Sequence, residues 1–237
     1  MAISERLEAL IRLIEPGRIV ADIGTDHAYL PIALVQRGLS PQALACDVKK
    51  GPLERARAHI EEAGLAEKIG TRLSDGLAKV EPADAESAVL AGMGGMLICD
   101  ILLAESKRPK NILKSLQQMV LQPQSDIAQV RRTVHALSWK IETEALLNDR
   151  GKWYWILSCK PGREEYLAEW QYSYGAYLSK VKDPVFYEYI KMLELDKKKL
   201  LEQITGSTQS AESRREVLQN ELNEIEEVKR WWNSQPV

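Results

Sequence analysis

Short apolar runs alternate with helix-forming segments over the first 160 residues, and this alternation limits the possible folds more than any other feature of the chain. Buried strands separated by helices are typical of a parallel sheet with helices on both faces. Two further apolar runs follow each other across a link of only four residues (148–151), which antiparallel neighbours can use. We therefore predict an α/β fold with a seven-stranded, mostly parallel sheet that ends in an antiparallel hairpin. The predicted strands are residues 18–23, 43–47, 69–73, 87–91, 119–121, 140–147 and 152–159.

The composition changes near residue 160, because 13 of the 15 aromatic residues lie from Trp153 onward. Beyond this point the sequence shows no strand pattern and is predicted to be helical. A break at residues 206–210 separates two series of apolar residues with seven-residue spacing, which indicates a helical hairpin, an antiparallel coiled coil. We predict two domains, 1–160 with the sheet and 161–237 with the hairpin. The two series are Phe186, Leu193 and Leu200, then Leu218, Ile225 and Trp232.

Charge and cysteine content narrow the possible partners. The chain has 32 basic and 34 acidic residues and a net charge of −2, so nucleic-acid binding would depend on local patches. Arg131 and Arg132 form one such patch, which could equally be a solvated helix face. The three cysteines are far apart and have no nearby histidine, which argues against a metal site and for a reduced, cytosolic protein. The longest uncharged run, 13 residues (87–99), is too short for a membrane span. The oligomeric state, monomer or weak dimer, stays open.

The turn after the first strand carries acidic residues where a dinucleotide-binding turn carries glycines. Gly24 is followed by Asp26 at the place of the second glycine, and Asp22 lies one residue before the end of the preceding strand. A carboxylate there repels a pyrophosphate, so the turn favours a cofactor that has an ammonium group and no phosphates, S-adenosyl-L-methionine. The alternative is an ordinary strand-to-helix turn in which Asp26 caps the helix.

Two more acidic residues follow the second and third strands. Asp47 lies 23 residues after Gly24, close to the spacing at which a carboxylate binds ribose hydroxyls in nucleotide-binding folds. Asp75, followed by Gly76, is placed for the adenine amino group of the same cofactor. Each could instead be a plain turn residue. Three carboxylates after three successive strands are less usual for turns alone.

The fourth and fifth strands end in segments suited to a flat substrate. The fourth is followed by Gly92, Met93, Gly94 and Gly95, whose small residues let a ligand approach the backbone while the thioether offers an apolar surface. After the fifth strand, a glutamine precedes a proline (122–123), and its amide either bonds a base edge or caps a helix. A glycine-rich turn before a helix is the alternative for the first segment.

The segments ADIGTDHAYLP, DGL, AGMGG and LQP, in this order, resemble the bacterial tRNA adenine-N1 methyltransferases of the TrmK type. The resemblance covers the whole chain, including a helical hairpin after the catalytic domain. It implies a Rossmann-like class I enzyme that transfers a methyl group from S-adenosyl-L-methionine to N1 of adenine 22 in the D-arm of tRNA, leaving S-adenosyl-L-homocysteine.

From this chemistry we predict a role for each candidate residue. Asp26 stabilises charge on the methylated base, His27 accepts a proton, Tyr29 stacks on the base, and Met93 forms an apolar wall beside it. His27 could instead only pack or cap. The predicted cofactor-binding residues are Asp22, Gly24, Asp26, Asp47, Asp75, Gly76, Gly92 and Met93. The predicted substrate-binding residues are Gly94, Gly95, Gln122, Pro123, Arg131 and Arg132.

Two other functions stay open at this point. A methyltransferase that acts on a small molecule or a protein would keep the cofactor carboxylates but would not need basic patches. A protein without enzymatic activity would use the helical hairpin to bind a partner. The salt dependence of binding separates the first alternative from a tRNA enzyme, and a test of cofactor binding separates the second.

Overall fold

The computed structural model describes residues 3–206 and 208–235. Within them lies a seven-stranded sheet with the strand order β3-β2-β1-β4-β5-β7-β6. The first five strands are parallel, β7 is antiparallel to β5, and β6 is antiparallel to β7. The predicted α/β sheet with a terminal antiparallel hairpin is confirmed. The strands are β1 (Val20–Ile23), β2 (Ala43–Asp47), β3 (Ile69–Leu73), β4 (Ser87–Met93), β5 (Gln118–Pro123), β6 (Trp139–Asp149) and β7 (Lys152–Pro161).

Helices connect the parallel strands, and local sequence signals set several of their ends. The Ser4 side chain accepts a hydrogen bond from the Leu7 N–H and caps the first helix. Gly64, in the left-handed region at φ +69°, follows the third helix, where a β-carbon would be strained. A short 3₁₀ turn, Ile112–Lys114, precedes β5. The helices of this part are α1 (Glu5–Leu13), α2 (Tyr29–Gln36), α3 (Lys50–Glu62), α4 (Gly95–Ser106) and α5 (Ile127–Ala136).

The side chains of the central strands alternate between the two faces of the sheet, and this alternation determines which of them lie under α1. Val20 and Asp22 share one face of β1, and the register pairs Asp22 with Val89 of β4 and Val89 with Val120 of β5. A buried cluster joins Val20, Val89 and Val120 to Leu10 of α1. Because Asp22 is on the same face as these valines, its carboxyl points toward the helix-covered side of the sheet.

The chain divides into two compact units, one ending at Glu165 and the other beginning at Tyr166. The predicted domain boundary, between residues 160 and 161, lies just before the last residue of β7. In the described part of the second unit, helices follow one another without a strand. They are α6 (Glu169–Tyr174), α7 (Tyr177–Lys180), α8 (Pro184–Gln203) and α9 (Gln209–Ser234).

Helices α8 and α9 are paired. Two ion pairs join them, Lys197–Glu221 and Glu194–Lys229, both at 2.7 Å. The residue that comes earlier in α8 pairs with the one that comes later in α9, so the two helices are antiparallel. Phe186 at the start of α8 is fully buried, whereas Leu200 near its end is 44% exposed. The heptad positions are therefore covered unevenly, and a regular coiled coil stays a prediction.

No helix among residues 3–206 and 208–235 is long and apolar enough to cross a bilayer.

Candidate active site

The sheet reverses its winding direction between β1 and β4, because β2 and β3 lie to one side of β1 while β4 and β5 lie to the other. Ligands of open α/β sheets bind at the carboxyl ends of the strands at such a point. A cleft of about 550 Å³ lies here. It is lined by α1, by the turn between β1 and α2, and by the end of β4. Asp22, Gly24, Asp26, His27, Tyr29 and Gly92 of the predicted site are among its lining residues.

The turn after β1 is held by backbone hydrogen bonds to the neighbouring strand. The N–H groups of Gly24 and Thr25 both donate to the Cys46 carbonyl at 2.8 Å. Gly24 has φ +81°, a conformation that favours glycine. Ala28, at φ +56°, caps α2 without a side-chain hydrogen bond, so Asp26 is not the helix cap. The Asp26 carboxylate is therefore available for another role.

Asp22 is a buried acid at the base of the cleft. It is 8% exposed, and its carboxylate accepts a hydrogen bond from the Thr25 side chain. Burial raises the pKa of Asp22 to about 6, an effect that the Thr25 hydrogen bond and the nearby charge of Arg6 oppose. A cation entering the cleft would favour the ionised form of this carboxyl.

Asp26 lies at the mouth of the cleft, with a side chain that is 62% exposed. Its carboxylate contacts the guanidinium of Arg55, from α3, and the Nε2 of His27 at 3.2 Å. The hydrogen bond from Arg55 lowers the pKa of Asp26, and the charge of His27 acts in the same direction. Asp26 is thus an anion at neutral pH, as a charge-stabilising role requires.

Three aromatic rings form a cluster beside Asp26. The rings of His27 and Tyr29 are 5.1 Å apart between centroids, and the ring of His59 is 5.2 Å from His27 and 5.4 Å from Tyr29. The three planes differ by at most 24°. His59 is half-buried, and its Nδ1 lies 3.1 Å from the His27 carbonyl oxygen. His59 was not predicted, because its place on α3 gives no sequence signal that it reaches this turn.

The buried ring nitrogen of His27 bears on its predicted role. Nδ1 of His27 has no hydrogen-bond partner within the part of the chain that the structure describes. Since Nε2 faces Asp26, the ring is oriented with one nitrogen toward the carboxylate and the other toward the interior. Nε2, on the Asp26 side of the ring, is therefore the nitrogen placed to accept a proton.

The carboxylates that end β2 and follow β3 lie beyond the lining of this cleft. Asp47 is the last residue of β2 and pairs with Leu73 of β3, and its Oδ1 accepts a hydrogen bond from the Lys49 N–H at 2.7 Å. Asp75 lines a second cavity of about 420 Å³ beside α4. Gly76, at φ +53°, lies so close to Ile101 that a β-carbon there would be 2.7 Å from that side chain. Their roles toward ribose and adenine stay predictions.

The segment after β4 combines open backbone with close packing. Gly92 has φ +77°, and the Met93 carbonyl accepts a hydrogen bond from the Gln124 N–H at 3.0 Å. Gly94 is the N-cap residue of α4. A β-carbon on Gly95 would lie 2.1 Å from the Ser125 carbonyl oxygen, so the backbone needs glycine at this position.

Gln122 and Pro123 are buried beneath the cleft and do not line it. Gln122 is fully buried and accepts hydrogen bonds from the Gly92 N–H at 3.1 Å and from Arg6 at 2.8 Å. Its amide does not cap a helix, because the oxygen accepts these two bonds and the nitrogen donates to the Pro123 carbonyl at 3.1 Å. The prediction that these two residues contact the substrate is corrected: Gln122 supports the residues that line the cleft.

Arg131 is fully buried and forms an ion pair with Glu144 at 2.9 Å. Its guanidinium also lies 4.6 Å from the centre of the Trp155 ring. The prediction that Arg131 binds substrate is wrong, because a side chain without exposed surface cannot reach an RNA phosphate. Apolar spacing on α5 does not reveal which of two adjacent arginines faces the sheet. Arg132, half-buried, stays a predicted contact.

Arg6 is a cleft residue that sequence reasoning missed. It comes from the first turn of α1, far from the strand ends in sequence, and it lines the cleft together with Asp22. A solitary arginine near a chain start carries no motif. Its position follows only from the packing of α1 over the sheet.

The fold and the acidic strand ends define a Rossmann-like methyltransferase. A ribosomal protein L11 methylase of Lactobacillus delbrueckii, at 17% identity and a TM-score of 0.53 over 66% of this chain and 77% of its own, shares the fold. Residues 20–227 match the model of the TrmK family, described as tRNA (adenine(22)-N(1))-methyltransferase. The chain belongs to the TrmK family.

Individual relatives agree with this membership. The tRNA (adenine(22)-N(1))-methyltransferase of Bacillus subtilis is 33% identical over 162 residues, a segment that spans 68% of this chain and 66% of the relative. The structure of Streptococcus pneumoniae Sp1610 in complex with S-adenosyl-L-methionine is 34% identical, with a TM-score of 0.83 over 96% of this chain and 99% of that one. The structure of M. capricolum TrmK contains S-adenosyl-homocysteine and is 25% identical, with a TM-score of 0.81 over 98% and 99% of the two chains.

Proposed function

We propose that this protein transfers a methyl group from S-adenosyl-L-methionine to N1 of the adenine at position 22 in the D-arm of tRNA. The single observation that carries the proposal is the buried carboxylate of Asp22 at the base of the cleft, beneath a glycine turn that lacks the second glycine of a dinucleotide site. Membership of the TrmK family supplies the substrate and the position of the methyl group.

The chemistry of the cleft fits the cofactor. Asp22 would bind the ammonium group of the cofactor. A buried carboxylate has lost its hydrating water, so a nearby cation stabilises its ionised form. Asp47 would bind the ribose hydroxyls and Asp75 the adenine amino group, with Gly24 and Gly92 providing open backbone. When bound, the cofactor supplies a methyl group made electrophilic by the adjacent sulfonium.

Adenine N1 carries an in-plane lone pair, so the protein does not need to remove a proton before the attack. Its main task is to hold the base in line with the methyl group. N1 lies on the pairing edge, so the adenine must be unpaired and turned out of the helix, at a cost of a few kcal/mol. Tyr29, 38% exposed in the cleft, would stack on the displaced base.

Charge develops on the adenine as the new bond forms. Asp26, which stays ionised at neutral pH, would stabilise that positive charge at the mouth of the cleft. His27 would afterwards accept a proton from the exocyclic amino group of the cationic base, at the Nε2 that faces Asp26. Met93 and Gly94 would lie along the base. Gly95 is buried against the Ser125 backbone, so the prediction that it contacts the substrate is corrected: it lets the turn after β4 pack closely.

The tRNA would need contacts outside the cleft. Basic residues of α8 are partly committed already, since Lys197 pairs with Glu221 and Lys198 with Glu194. Arg132, which is half-buried on α5, is the candidate for a phosphate contact. A tRNA substrate and three free cysteines favour the cytoplasm as the site of action.

The test is methylation of unmodified tRNA with labelled S-adenosyl-L-methionine, followed by mapping of the modified nucleoside. We expect 1-methyladenosine at position 22 and no label in a matched transcript with guanine there. Label at another position would contradict the proposed target. Label in neither transcript, with intact cofactor binding, would favour a small-molecule or protein substrate. The Asp22→Asn variant is the matched control, since it keeps the shape of the side chain but loses the charge.

A further inference from the structure

Helix α3 brings two polar side chains, one helical turn apart, to the turn that joins β1 and α2. Arg55 and His59 are four residues apart and therefore lie on the same side of the helix. The buried side chains of Ala56 and Ile60 pack in one cluster with Ala28, which belongs to the turn. Because a close-packed interior deforms little, α3 and the turn keep a fixed spacing.

Arg55 holds the carboxylate of Asp26 from one side. Its Nη2 donates to Oδ1 of Asp26, while Oδ2 of the same carboxylate lies 3.2 Å from Nε2 of His27. The two side chains of the ion pair are 50% and 62% exposed, and exposed pairs add little to stability. The contact therefore orients Asp26 more than it stabilises the fold.

His59 holds the next residue of the turn through both its backbone and its ring. The Nδ1 of His59 lies 3.1 Å from the His27 carbonyl oxygen, and because a carbonyl can only accept, Nδ1 is the donor. The His59 ring also stacks on His27 at 5.2 Å and on Tyr29 at 5.4 Å between centroids. One side chain of α3 thus contacts both rings that are proposed to act on the base.

Neither Arg55 nor His59 is among the described residues that line the cleft, so both act on the turn and not on a ligand in the cleft. The His27 ring depends on such contacts, because its Nδ1 has no hydrogen-bond partner among the residues that the structure describes. A misplacement of about 1 Å in a reacting group can cost about 100-fold in rate. Residues behind the turn can therefore set the rate of a reaction that they do not touch.

We propose that Arg55 and His59 are positioning residues for the methyl transfer. From α3 they hold residues 26–29 in the arrangement that the displaced adenine meets. This inference rests on the proposed function, because it requires that a base enters the cleft beside this turn. It adds two residues of α3, which lie outside the strand-end motifs, to the machinery of the reaction.

The test separates the two contacts of His59 by substitution in the full-length protein. His59→Asn keeps an N–H donor near the position of Nδ1 but loses the ring, His59→Phe keeps a ring but loses the donor, and His59→Ala loses both. Methylation of unmodified tRNA at saturating S-adenosyl-L-methionine gives kcat and KM, and calorimetry gives the affinity for the cofactor.

We expect His59→Ala to lower kcat by about 10- to 100-fold, because Asp26, His27 and Tyr29 lose their alignment. His59→Asn and His59→Phe should each recover part of that loss. KM for tRNA should change by less than about twofold, since phosphate contacts supply most of the affinity for a nucleic acid. The affinity for S-adenosyl-L-methionine should equal that of the wild type.

Arg55→Met should also lower kcat, by about 10-fold, because it frees the Asp26 carboxylate. Arg57→Met is the matched control: it removes a cation from the same helix, but one whose guanidinium bonds the Thr71 hydroxyl, and its kcat should equal that of the wild type. A higher KM at unchanged kcat in Arg55→Met would assign Arg55 to the tRNA backbone and overturn its positioning role.

Wild-type kcat in His59→Ala would overturn the inference. So would a loss of kcat that is matched by an equal loss of cofactor affinity, because this would make His59 a general support of the cleft. If His59→Ala does not fold, Arg55→Met still decides, since it breaks only an exposed ion pair, and unchanged kcat there would overturn the inference. Wild-type protein that methylates no tRNA would instead refute the proposed function itself.

Discussion

The terminal methyl group of Met93 lies against Gly24, so close that a β-carbon on Gly24 would be 2.9 Å from it. The two residues belong to the ends of neighbouring strands, since β1 pairs with β4. This contact joins the turn after β1 to the glycine-rich segment after β4. A change in one turn is therefore expected to be felt in the other.

Gly24→Ala should weaken cofactor binding and destabilise the protein by about 1–2 kcal/mol, because an L-residue at φ +81° is strained. Gly17→Ala is the matched control: Gly17 has a similar φ of +84° but no neighbour within 4 Å of the added β-carbon. Chemical denaturation and calorimetry measure the two effects. If both variants bind the cofactor equally well, the Met93 contact has no part in shaping the site.

Asp22 should make stability depend on pH. Its pKa of about 6 in the folded protein lies above the ordinary value of 3.8. Between these values the folded protein keeps a proton that the unfolded chain has lost, so the free energy of unfolding falls as pH rises. Asp22→Asn avoids this loss. We expect the free energy of unfolding of this variant to exceed that of the wild type by up to about 3 kcal/mol at about pH 7 and by little at about pH 4.

Urea unfolding of both proteins across this pH range tests the prediction, and a difference that does not grow with pH would contradict it.

Cofactor binding should show the opposite dependence on pH. An ammonium ligand favours ionised Asp22, so wild-type affinity for S-adenosyl-L-methionine should decrease as pH falls below about 6. Asp22→Asn should bind weakly at every pH.

Arg131→Met should destabilise the protein by about 3–5 kcal/mol, because it leaves the buried Glu144 carboxylate without its cation. The double variant Arg131→Met/Glu144→Leu should recover most of that loss, since it removes both charges. Denaturant unfolding measures each stability. A double variant as unstable as the single one would show that packing of Arg131 on Trp155 matters more than the charge pair.

Tyr29→Ala should lower kcat/KM for tRNA. The expected loss of transition-state stabilisation is about 1–3 kcal/mol, the range found for base stacking on an aromatic ring. Tyr29→Phe should be close to the wild type, because the ring and not the hydroxyl makes the stack. Cofactor affinity should be unchanged in both. A loss of S-adenosyl-L-methionine binding in Tyr29→Ala would instead assign the ring to the cofactor.

Much of the fold follows from local pattern. The predicted β2 and β3 agree with the structure residue for residue, because apolar runs bounded by helical segments define such strands closely. β1 is shorter than predicted, since its regular pairing with β2 and β4 begins at Val20. β6 is longer than predicted at both ends, and β7 is longer at its carboxyl end. The separation of acidic residues by whole βα units also made it possible to predict carboxylates at successive strand ends.

By itself, the sequence determined the strands, their mostly parallel arrangement and the chemical character of the turns that follow them. Only the tertiary structure decided which side chains reach the cleft. Arg6 and Gln122 are 116 residues apart yet share a hydrogen bond, and Arg131 is buried while its neighbour Arg132 is not. The physical reason is that burial depends on what packs against a side chain from distant parts of the chain. Local spacing carries no information about that partner.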